Sequence, residues 1–175
     1  MKRSPIFALI AAAATAAAPS ISFAEAPASP LLQRQAKVQQ TARESGRAVV
    51  AILPGRGGAG MGSGVVVSKD GIILTAAHVL RAVGERFRVI FPDGTEAEAR
   101  ALGANFDRDA AMAKIATQRE GEGGWPFAPL APSASVVPGE WCVAMGHPGG
   151  YEAERPPPVR VGRVWKQSEP GFLLS

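Results

Sequence analysis

Cysteine and histidine are scarce in this 175-residue chain: one Cys, at position 142, and two His, at positions 78 and 147. A single thiol excludes an internal disulfide, and no zinc-ligand spacing exists among the three residues. Cys142 lies in the apolar run Trp141-Cys-Val-Ala-Met145 and is expected to be a small buried side chain rather than a reactive thiol. Runs of Lys or Arg are also missing, so the formal charge of +4 gives no support to nucleic-acid binding. No cofactor is expected.

Long apolar runs are lacking too. Ile6 to Ala18 is apolar but too short and Ala-rich to span a bilayer comfortably. Lys2 and Arg3 precede it, and Ser22-Phe23-Ala24 places small residues where a signal peptidase reads. Residues 1–24 are therefore read as a secretory signal peptide, with an N-terminal membrane anchor as the alternative. Their removal takes away two basic residues and no acid, leaving 17 basic against 15 acidic side chains, a balance of +2. No stable membrane span is expected after cleavage.

What is present is a succession of short apolar segments. Residues 31–47 hold helix formers with a loose apolar stripe, expected as a helical arm over 25–47 that packs on its own domain or touches a neighbouring subunit. From Ala48 the pattern changes to strands, expected at 48–53, 64–68, 71–75, 86–91, 96–102 and 110–116. Lys69-Asp70-Gly71 and Pro92-Asp93-Gly94 between them are hairpin turns, where Gly accepts positive φ. Six short strands without long helices predict an all-β fold, an antiparallel sandwich or small barrel over 48–118. A Gly/Pro/Glu-rich stretch from Arg119 to Pro132 reads as a linker across a surface, within a connection over 119–138. A second strand series then opens over 139–175, at 141–146, 158–166 and 171–174. Three strands rarely close a core, so this second unit is expected to be incomplete.

Gly55-Arg-Gly57-Gly58-Ala-Gly60 fits G-x-G-x-x-G literally, but a strand follows instead of the helix that dinucleotide binding requires. It is read as a hairpin loop. Ser63 lacks the glycines of a nucleophile elbow and precedes a strand, so it is read as structural. His147, in Gly146-His-Pro-Gly-Gly150, has no metal-binding partner and is read as a loop residue.

His78 carries more. The apolar run Ile72-Ile-Leu74 ends at Thr75-Ala-Ala77, whose small side chains leave room around the imidazole. About thirty residues later Asp109 opens another apolar segment, an order that suits two loops converging on one barrel edge. Imidazole titrates near working pH, so it can take a proton from a hydroxyl and return it to a leaving amine. A carboxylate on its other nitrogen fixes the tautomer. His78 and Asp109 thus form the candidate catalytic pair, the base and orienter of a Ser-His-Asp system; Asp107 is assigned to the turn. The 175 residues contain no Gly-x-Ser-Gly-Gly, so no nucleophilic Ser is assigned.

These residues resemble the HtrA/Deg-type branch of trypsin-like serine proteases. Gly62-Ser-Gly-Val-Val-Val-Ser68, Asp70-Gly-Ile-Ile-Leu-Thr-Ala-Ala-His-Val79 and Phe91-Pro-Asp-Gly-Thr95 carry the likeness. Asp107-Arg-Asp-Ala-Ala-Met-Ala-Lys-Ile115 resembles the family's Asp-Leu-Ala-Val-Leu-Lys segment, which places the triad Asp on Asp109. Pro138 to Gly146 looks like the opening of the second barrel, and Val161-Gly-Arg-Val164 like its Gly-x-Val strand. His147 stands where the family has Asn, and Ala110 where it has Leu. The resemblance implies a trypsin-like antiparallel fold, with the first barrel complete, the second truncated, and the site in the cleft between them. It implies peptide-bond hydrolysis, polypeptide substrates, a periplasmic or secreted location and a possible homo-oligomer.

Two readings follow. In one, the chain is the N-terminal part of an exported serine endopeptidase, inactive alone. In the other, it is a non-catalytic periplasmic protein-binding module on one complete barrel. The first is favoured because an open edge bearing Phe172 and Leu173 is an aggregation liability that a longer parent would cover.

Overall fold

A computed structural model describes residues 29–54, 62–80, 82–119, 123–153, 155–168 and 171–174. The expected leader over 1–24, the Gly55–Gly60 loop and the side chains of Phe172 and Leu173 lie outside the described residues.

One helix, α1 (Pro30–Gly46), begins the described chain. Ser29 caps it by accepting from the Leu32 N–H at 3.3 Å, and Pro30 sits where a helix has no use for an amide proton. Six strands follow: β1 (Val49–Pro54), β2 (Gly62–Val66), β3 (Ile72–Thr75), β4 (Arg86–Ile90), β5 (Glu96–Asn105) and β6 (Ala110–Ile115). They close into an antiparallel barrel in the order β1-β2-β3-β6-β5-β4, β1 pairing with both β2 and β4. A separate three-stranded sheet, β7 (Trp141–Met145), β8 (Val159–Ser168) and β9 (Gly171–Leu174), comes after it.

The barrel closes because its interior is filled by small and branched side chains in alternation. On β5, Ala97, Ala99 and Ala101 point inward while Glu96, Glu98 and Arg100 face solvent. Val50, Val66, Ile73 and Val89 are fully buried around them. On the outer face Arg86 pairs with Glu98 and Arg88 with Glu96, both at 3.1 Å, as diagonal cross-strand pairs. β5 runs three residues past its expected end. The ladder skips a register between Ala101 and Gly103, and the bulged Leu102 turns outward, so pairing with β6 continues to Asn105.

The turn at Lys69-Asp70-Gly71 needs its glycine. Gly71 has φ +88°, and a Cβ there would sit 2.9 Å from the Cβ of Ile115 and 3.0 Å from Trp125. Trp125 itself departs from expectation. It belongs to the stretch read as a surface linker, yet it is buried and stacks on Phe91 at 5.0 Å between ring centroids. Its N–H donates to the Lys69 carbonyl and that of Ala128 to Val66, so this segment is stitched to the barrel. Cys142 is half-buried rather than enclosed.

Candidate active site

His78 stands in a single 3-10 turn, Ala77–Val79, three residues beyond the end of β3. Thr75 closes β3 by donating its hydroxyl to the Ser63 carbonyl at 2.8 Å. Below the turn, β2 approaches so closely that a Cβ on Gly62 would lie 2.7 Å from both methyls of Val79. His78 is thereby mounted on two paired strands, not on a loose loop.

Asp109 arrives from the β5–β6 hairpin. It is the only non-glycine residue at positive φ among those described, at 46°. The left-handed region costs an L-residue about 1 kcal/mol or more, less for Asp than for most. That backbone state ends the turn Phe106–Asp109 and turns the carboxylate toward the 3-10 turn. Oδ1 accepts the backbone N–H of His78 at 3.0 Å, while Nδ1 of the ring lies 2.8 Å from Oδ2 and 3.0 Å from Oδ1. Asp107 occupies the same turn, and the structure brings Asp109, not Asp107, to the ring.

The chemistry follows from these contacts. The His78 amide, and then its ring, hold the Asp109 carboxyl below the usual carboxylate range, so it stays an acceptor near neutrality. An ionised carboxylate cannot donate, so Nδ1 carries the hydrogen and Nε2 keeps its lone pair. The side chains are 72% and 54% exposed, leaving Nε2 open to a reacting group. The arrangement can accept a proton at Nε2 and stabilise the imidazolium formed.

Sequence reasoning missed how tightly a second histidine is held. His147 does lie in a turn, but it is 4% exposed. Its N–H donates to the Ser63 Oγ at 2.7 Å, and its Nε2 lies 3.4 Å from the Val49 carbonyl. Burial pushes its pKa below the ordinary histidine value. The glycine-rich setting was the available signal: a Cβ on Gly146 would come 2.9 Å from the Ser63 Oγ, so only Gly lets the turn press on β2. Ser63 therefore braces two places, by its carbonyl and by its hydroxyl. Among the described residues no group of three His, Cys, Asp or Glu could hold a metal ion, and no helix is long and apolar enough to cross a membrane.

A family model described as a trypsin-like peptidase domain matches residues 62–171. The chain is 37% identical over 90 residues to a protein of Brucella suis named "Probable periplasmic serine endoprotease DegP-like". It is 38% identical over 91 residues to one of the same name from Hahella chejuensis. Those matches take in 51% and 52% of this chain but only 17% and 18% of the relatives. Among solved structures, the serine endoprotease from Yersinia pestis superposes with a TM-score of 0.61 at 25% identity, covering 86% of this chain and 48% of that one.

Proposed function

The chain belongs to the trypsin-like peptidase domain family, of the HtrA/Deg type, and from that premise we propose that it contributes the base and orienter of a serine endopeptidase. The contact that carries this reading is the 2.8 Å approach of His78 Nδ1 to Asp109 Oδ2. In the proposed reaction a serine hydroxyl attacks a peptide carbonyl while Nε2 of His78 takes its proton. The imidazolium then gives that proton to the leaving amine, and water repeats the sequence on the acyl-enzyme. Asp109 keeps the ring in the tautomer that leaves Nε2 free, and offsets the charge that develops.

The substrates of this reading are exposed polypeptide segments, and the setting is the periplasm or the exterior, in line with the names of the Brucella and Hahella relatives. The Gly-x-Ser-Gly-Gly of the nucleophile is not among the 175 residues. On this reading the 175-residue polypeptide by itself turns over nothing, since both nucleophile and oxyanion donors are needed. The test is direct. Purified chain is incubated with casein and with a fluorophosphonate probe. Neither hydrolysis nor labelling is expected; strong labelling of any serine, Ser63 included, overturns the assignment.

A further inference from the structure

We propose that Ser63 is a positioning residue for His78, making the placement of the base depend on the docking of the 146–150 turn, after β7, against the barrel. The inference rests on the reading of His78 and Asp109 as base and orienter. It gives Ser63 no contact with the reacting atoms.

Ser63 stands where a ladder runs out. Gly62 and Ser63, the first residues of β2, pair with Ile52 and Ala51 of β1. The pairing of β2 with β3 goes no further than Gly64, opposite Thr75. On the β3 side, side chains take over from the ladder. Thr75 donates its hydroxyl to the Ser63 carbonyl at 2.8 Å. The methyls of Val79 occupy the space that Gly62 leaves open. Thr75 closes the strand before His78, and Val79 follows it in the same 3-10 turn. The turn that carries the base therefore rests on the first two residues of β2.

The same end of β2 is gripped from outside the barrel. The Ser63 Oγ accepts the His147 N–H at 2.7 Å. The turn that supplies this donor is closed on itself, the Gly150 N–H donating to the His147 carbonyl at 3.0 Å. It is also anchored on β1, where the buried His147 ring brings Nε2 to 3.4 Å from the Val49 carbonyl. The fit is close enough that a Cβ on Gly146 would come 2.9 Å from the Ser63 Oγ. One residue thus joins two turns, its carbonyl serving the side of His78 and its hydroxyl the side of His147. Without the His147 contact, Ser63 keeps its β1 partner but loses one of the bonds that fix it beneath the catalytic turn. Loss of one such hydrogen bond changes a local opening equilibrium about tenfold, with the barrel still folded.

Amide hydrogen exchange and imidazole nitrogen-15 shifts of the full chain test this. Ser63→Ala should speed exchange of the His78 amide about tenfold. It should also move the His78 ring signals toward hydrogen on Nε2, as in a ring released from Asp109. The Ala101 amide, which donates to the Glu85 carbonyl at 2.9 Å, should keep its rate and so separate local loosening from loss of the fold. Gly146→Ala approaches from the other side, since its Cβ meets Ser63 and nothing else within 4 Å beyond its chain neighbours. It should produce the same two changes at His78. In a Ser63→Ala background, where the Oγ is gone, it should add nothing. Unchanged exchange at His78 in Ser63→Ala overturns the proposal, as do additive effects in the double variant. Equal acceleration at Ala101 overturns it too, because Ser63 would then serve the barrel as a whole. A parent ring with its hydrogen on Nε2 strikes instead at the base-and-orienter reading, on which the exchange rates do not depend.

Discussion

Asp109 holds His78 at two points, one carboxylate oxygen on the backbone amide at 3.0 Å and the other 2.8 Å from the ring nitrogen Nδ1. The double attachment fixes both the position of the residue and the direction its ring faces. It joins a hairpin turn to the end of β3, segments separated by 31 residues in sequence. A left-handed Asp109 is what lets one carboxylate reach both donors.

The stability of the barrel should depend on a side chain outside its six strands. Trp125 stacks on Phe91 and closes over Gly71. Trp125→Ala should cost about 3–5 kcal/mol, as large aromatic truncations in cores do. Urea unfolding measures this; a loss under about 1 kcal/mol would show that the stack is incidental.

Gly71→Ala should destabilise by about 2–4 kcal/mol, combining positive φ with a Cβ wedged between Ile115 and Trp125. Gly149→Ala is the control. It also has positive φ, but a Cβ there meets nothing within 4 Å. It should cost only about 1 kcal/mol. Equal losses at the two sites would remove packing from the explanation.

Acid should loosen the contact between His147 and the barrel. Its pKa is lowered in the folded chain, chiefly by burial, with the nearby Arg155 charge acting in the same direction. The unfolded chain therefore binds more protons just below the ordinary value of about 6.5, and stability falls as pH drops through that point. It levels off once the folded value is passed. Urea midpoints between pH 7.5 and 5 should decline in the parent chain and decline less in His147→Asn. At lower pH a second loss is expected from Asp70, whose pKa Lys114 pulls down to about 2, beginning near 4 and ending near 2. Parallel profiles for parent and His147→Asn would show that His147 does not titrate with folding.

Much of the barrel was legible because local chemistry and tertiary demand agree there. Alternation in Glu96-Ala-Glu-Ala-Arg-Ala101 names one buried face, and Asp-Gly turns name the hairpins. The His78–Asp109 contact could be anticipated from the order of the segments and from small residues before the imidazole. The rest depended on distant partners. The bulge at Leu102 is set by how β5 meets β6, Trp125 is buried against Phe91 just past the end of β4, and Cys142 is only half-buried where it faces the cavity beside α1. His147 is buried by Ser63, 84 residues away, which no local pattern at the Gly-His-Pro turn reveals.

The central claim is that Asp109 holds the His78 ring with hydrogen on Nδ1 and a lone pair on Nε2. Nitrogen-15 chemical shifts of the imidazole at pH 8, in the parent chain and in Asp109→Ala, test it most directly. The account predicts a protonated Nδ1 and a bare Nε2 in the parent, shifting toward hydrogen on Nε2 when the carboxylate is removed. A ring that carries its hydrogen on Nε2 in both proteins would contradict it.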